Sequence, residues 1–114
     1  MKKSLVGASG AIFALLGIAM AVRAAATGDA GAGKTVYANK CMICHGADGG
    51  GATGYAKALG LQPARLASDA VQNKMDAELK KIILEGSGKM KPIKGLSDTD
   101  IENVIAYVRT LRKK

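Results

Sequence analysis

Two cysteines and the only histidine of this chain fall within five consecutive positions, Cys41-Met42-Ile43-Cys44-His45. Residues three apart on a helix are nearly one turn apart, so both thiols face the same side. The imidazole follows at once. Little else in the 114 residues can organise a core. There is no tryptophan, one phenylalanine (Phe13) and three tyrosines (Tyr37, Tyr55, Tyr107), against 15 glycines. Small domains so poor in large apolar side chains usually need a staple, a metal or a cofactor. The cysteine–histidine cluster is where such a group would attach.

A disulfide between Cys41 and Cys44 would close a loop too small to constrain much chain entropy. A thioredoxin-type redox pair expects a βαβ setting, and no strand pattern is present. A zinc site needs a fourth strong ligand, yet there is no third cysteine and no second histidine. Covalent haem suits the spacing: each thiol adds to one vinyl group of the same porphyrin, and His45 offers its imidazole nitrogen to the iron. Cys41, Cys44 and His45 are therefore the candidate cofactor-binding residues, with haem c, carrying one iron, as the expected cofactor.

The N-terminal stretch reads as a leader rather than as part of the fold. Met1-Lys2-Lys3 is a short positive start, residues 5–22 are apolar, and small residues follow at Ala24, Ala25 and Ala26. This is the three-part pattern of a secretory signal peptide. Cleavage is expected after Ala24 or Ala26, which assigns 1–26 to the leader and 27–114 to one domain. The apolar run is short and Gly-interrupted for a membrane span of about 20 residues. An uncleaved leader would tether the same domain to the membrane, facing the periplasm. Without Lys2, Lys3 and Arg23 the chain keeps 14 basic and 9 acidic residues, a net charge of +5. That modest charge, with no aromatic-interleaved basic groove, speaks against nucleic-acid binding.

The domain reads as all-α. Asp29 is placed to cap a helix over 33–40, with Val36 and Tyr37 on its apolar side, and 41–45 continue it. Glycines at 46, 49, 50, 51 and 54 impose a loop. Residues 55–61 allow one helical turn or two before Pro63 breaks them, and Leu66 and Val71 are apolar points in a connecting segment. Asp76 is expected to cap a helix over 76–85, with Leu79, Ile82 and Ile83 at helical spacing and Gly86 as its stop. A second Gly-rich loop spans 86–95. The last helix starts at Ser97 or Asp98 and runs to about Leu111, with Ile101, Val104, Ile105 and Val108 on one face. Acids at its start and bases at its end complement the helix dipole.

The stretch Cys41-Met42-Ile43-Cys44-His45-Gly46, with Gly33 and Tyr37 four apart before it and the terminal helix containing Tyr107, resembles the class I (monohaem) cytochromes c. The resemblance covers nearly all of the domain. It implies a small cytochrome c fold, a few helices wrapped around one covalently attached haem, with the first and last helices crossing. Gly33 would permit the close approach, and Tyr37 and Tyr107 would pack near it.

For the second axial ligand, the domain offers Met42, Met75 and Met90. Met42 is occupied by the covalent link on either side, and Met75 is placed to pack back on the following helix as a staple. Met90 sits in the Gly-rich loop where the family supplies its methionine. In many members proline follows that methionine directly; here Lys91 intervenes before Pro92. The resemblance also implies a proline whose carbonyl accepts from the other nitrogen of the proximal histidine. Pro63, the only proline between His45 and Met90, is the candidate.

The function implied is a periplasmic one-electron carrier, not an enzyme, shuttling electrons between redox proteins as a monomer. If Met90 did not ligate, an open iron site would suit a small-ligand sensor or a weak peroxidase instead. Lys40, Lys89, Lys91 and Lys94 lie near the expected haem edge in sequence and would steer acidic docking surfaces toward it.

Overall fold

Asp29 starts the first helix as its side-chain chemistry requires. Its carboxylate accepts from the Gly31 and Ala32 amides at 2.8 and 3.2 Å, and α1 runs from Ala30 to Lys40, three residues earlier than the sequence pattern suggests. The computed structural model describes residues 28–112, and before them only Gly7, Gly10 and Gly17. The leader and its cleavage site lie outside the described residues.

Five more helices follow: α2 (Met42–His45), α3 (Gly54–Ala58), α4 (Asp69–Gln72), α5 (Asp76–Glu85) and α6 (Asp98–Thr110). Among the described residues there is no strand, only an isolated bridge between Ser87 and Met90, and no helix is long and apolar enough to cross a membrane. The all-α expectation is met. Helix α4 falls in what the sequence pattern leaves as a connection. One turn of helix carries too little periodicity to read, and it is held from outside: the buried Gln72 side chain donates to the Leu66 and Val108 carbonyls at 2.8 and 2.9 Å.

The start of α5 corrects a sequence expectation. Met75, not Asp76, occupies the cap position, and the Glu78 carboxylate accepts from the Met75 amide at 2.7 Å. Nor is Met75 a staple, since 67% of it is exposed. Asp76 instead takes Arg109 of α6 as its partner. At the start of α6, Ser97 and Asp100 satisfy each other's amides reciprocally at 3.1 and 3.0 Å, a capping box.

Helices α1 and α6 cross at backbone contact. A Cβ on Gly33 would overlap the Asn103 carbonyl, and one on Gly28 the Glu102 carbonyl. The Asn103 side chain accepts from the Asp29 amide at 2.8 Å across the same crossing. Tyr37 and Tyr107 pack beside it with ring centroids 5.1 Å apart and planes tilted by 55°, a favourable aromatic geometry. Ile101, Val104 and Ile105 of α6 are buried. Ile101 and Ile105 form a core cluster with Val71 and Leu79, with Leu66, Ile83, Leu96 and Val108 packed against it. Helix α6 is thus the spine on which α1, with α2 behind it, and α5 are separately hung.

Candidate functional site

Cys41 ends α1, and Cys44 and His45 lie on the short α2 that follows. Both cysteines are free and half-buried. Their segment is held by its backbone carbonyls, each of which finds a donor. Cys41 O accepts from the Cys44 and His45 amides at 3.2 and 3.0 Å, and Met42 O from Gly46 at 2.8 Å. The Thr53 hydroxyl donates to Ile43 O at 2.8 Å and approaches Cys44 O at 3.4 Å. His45 O accepts from Gly51 at 2.7 Å. Gly46 O accepts from the Gly49 amide at 3.1 Å and from the Tyr37 hydroxyl at 2.6 Å. Thr53 and the Tyr37 hydroxyl were not singled out for this task by the sequence. Thr53 preceding a helical pattern is a recognisable cap, and it does accept from the Ala56 amide at 3.1 Å; its second bond is tertiary.

The His45 ring is oriented by one bond. Nδ1 lies 3.1 Å from the Ala64 carbonyl oxygen. A carbonyl can only accept, so Nδ1 carries the proton and Nε2 keeps its lone pair. Burial lowers the His45 pKa from 6.5, while the Ala64 bond acts in the opposite direction. The acceptor is therefore Ala64, not Pro63. Residues 61–65 lack helical structure, and the Pro63 carbonyl lies against Gly51, where a Cβ would stand 2.6 Å from it.

Burial, aided by the charge of Cys44, pushes the Cys41 thiol up to about 11. With nothing bound it is a neutral thiol at neutral pH. Two free thiols a turn apart beside an imidazole with a free Nε2 fit covalent haem: Cys41 and Cys44 would hold the porphyrin and His45 the iron.

Met90 stands on a separate segment, between α5 and α6. Ser87 and Met90 exchange both backbone hydrogen bonds, each 2.9 Å, which makes 87–90 a two-residue hairpin. Gly86, at φ 78°, lets it close, since a Cβ there would meet the Met90 carbonyl at 2.5 Å and Pro92 Cδ at 3.0 Å. The turn thus accommodates Lys91 between Met90 and Pro92.

A family model described as cytochrome c oxidase, cbb3-type, subunit III matches residues 28–108. The chain belongs to this family of c-type cytochromes. Cytochrome c-554(547) of Halothiobacillus neapolitanus is 41% identical over 90 residues, 75% of this chain and 99% of that protein. Among solved structures, the KustC0563 c-type cytochrome is similar with a TM-score of 0.60 and 28% identity, over 71% of this chain and 98% of that one. As a monohaem c-type cytochrome, this chain carries covalently bound haem c and serves electron transport between redox partners. One cytochrome feature lies in the first helix: Gly33 and Tyr37 join the haem-attachment end of the fold to α6.

Proposed function

We propose that this cytochrome is a closed-site, one-electron carrier with His45 and Met90 as axial ligands of a haem attached through Cys41 and Cys44. The observation that carries the reading is the state of His45: the one imidazole of the chain has Nδ1 committed to Ala64, with no partner for Nε2 among the described residues. Haem supplies the one-electron redox couple when bound. Met90 is the methionine of the inter-helix loop, held by a two-residue hairpin. A neutral thioether there favours the reduced state and raises the potential. The residues' task is then to hold two ligands still and exclude water, so no position is left for substrate.

The leader pattern supports export to the periplasm, with the domain released after cleavage. The lysines around Met90 favour redox partners with acidic docking surfaces. Electron-transfer rates to such a partner fall steeply with added salt if this holds; flat salt dependence removes the electrostatic part of the proposal. The ligation is tested by optical spectra of the purified holoprotein and of Met90→Ala. A low-spin spectrum with a weak methionine–iron band, abolished by Met90→Ala, supports it. A high-spin iron, or an unchanged mutant, transfers the weight to a ligand-binding or peroxidase role.

A further inference from the structure

The attachment half of the molecule, residues 41–64, and the segment carrying Met90, residues 75–96, are joined by little of their own. Each is anchored elsewhere: α1 crosses α6, and α5 is tied to α6 by Lys80–Asp98 and Asp76–Arg109. Among the described residues one hydrogen bond links the two halves directly, from Lys89 Nζ to the Gly60 carbonyl at 3.4 Å. Gly60 is the left-handed residue just past the end of α3, at φ 64°, where a cation also complements the helix end. Lys40 reaches the seam from the other side, since a Cβ on Gly95 would lie 3.7 Å from its Nζ.

The lysine is adjacent to Met90 on an internally paired unit. The hairpin is internally paired, it is flanked by Gly86 and Gly95, both at positive φ, and Ile93 donates to Ile83 O of α5 at 2.9 Å. We propose that Lys89 is a positioning residue for Met90: its ammonium straps the hairpin to the end of α3 and so holds the axial thioether against displacement by small ligands. This rests on the reading of Met90 as ligand. The lysine then has a structural task distinct from long-range steering of partners, and one that neither Lys91 nor Lys94 shares, since neither hydrogen-bonds across the seam.

The test uses the ferric holoprotein and imidazole as the displacing ligand, followed by the optical change on binding. Lys89→Met should take up imidazole about three- to fivefold faster than the parent, the scale of one exposed charge-assisted hydrogen bond. Lys89→Arg, which keeps a donor, should behave as the parent, and so should Lys91→Met, which removes the same charge next to Met90 without cutting the strap. The proposal is overturned if Lys89→Met matches the parent, if Lys91→Met accelerates uptake as much, or if Lys89→Arg is as fast as Lys89→Met. Loss of the methionine–iron band in Met90→Ala is scored separately: if the band survives there, it is the ligand assignment that fails.

Discussion

The Tyr37 hydroxyl donates to the Gly46 carbonyl at 2.6 Å, joining the first helix to the residue that follows His45. Tyr37 is 2% exposed, and its bond to Gly46 is part-buried. Tyr37→Phe removes the donor and leaves Gly46 O with one partner. It should destabilise the holoprotein by about 1 kcal/mol, the usual net worth of such a bond. Equilibrium denaturant unfolding measures it; no change in midpoint would mean the bond is not made.

The same residue predicts a pH dependence. Burial first, then the charges of Cys41 where its thiol is free, of Tyr107 and of Asp48, raise the Tyr37 hydroxyl above its ordinary 10.0. Its folded pKa therefore exceeds its unfolded one, and the folded state binds more protons above pH 10. The resulting stability is complete below pH 10 and declines as pH rises from there toward the folded value. Stability curves against pH for wild type and Tyr37→Phe should be parallel up to pH 10 and converge above it. Curves that stay parallel to higher pH count against the shift.

Two glycines should respond oppositely to alanine. At Gly33 a methyl group would overlap the Asn103 carbonyl, which is backbone and cannot swing away. Gly33→Ala should destabilise by about 3 kcal/mol or more, at the upper end for overpacking. Gly54, in the first turn of α3, has nothing within 4 Å of such a group, and Gly54→Ala should stabilise by up to about 1 kcal/mol. Thermal melts of the two variants side by side decide it.

The guanidinium of Arg109 makes four bonds: two to Asp76 Oδ1, at 3.1 and 2.6 Å, one to the Gln72 carbonyl at 2.8 Å and one to the Lys74 carbonyl at 2.6 Å. It closes the end of α4 and the start of α5 onto α6. A lysine cannot reproduce that fork. Arg109→Lys should cost about 2 kcal/mol in denaturant unfolding, whereas an exposed pair such as Lys81–Glu85 should contribute far less.

The His45 acceptor can be tested through the potential. Pro63→Ala leaves the Ala64 carbonyl in place and should leave the midpoint potential unchanged. Gly51→Ala, at φ 77° and with its new methyl 2.6 Å from the Pro63 carbonyl, should push the 63–65 segment off the ring and shift the potential. A larger shift in Pro63→Ala than in Gly51→Ala would restore Pro63 as the residue that matters.

With so few large buried side chains, the fold should need its cofactor. Cys41→Ala/Cys44→Ala should be largely unfolded by far-ultraviolet circular dichroism. A helical spectrum without haem would refute this.

What the sequence determined by itself is local. The Cys41–His45 cluster, the Asp29 and Ser97 caps, the stop at Gly86 and the apolar face of α6 all act within one or two turns, so spacing alone exposes them. The cofactor and the all-α class follow from these. The tertiary structure decided what depends on residues far apart in the chain meeting at a given atom. It chose Ala64 over Pro63, because which of two neighbouring carbonyls meets the ring is set by the packing of a segment 19 residues from His45. It gave Asp76 to Arg109 rather than to the cap of its own helix, because an arginine 33 residues later arrives with a matching fork. It made Gly28 as necessary as Gly33, because both lie against α6 where two backbones touch. And it placed Lys89 at Gly60, a contact no spacing rule connects, because residues 41–64 and 75–96 are brought together by packing on α6.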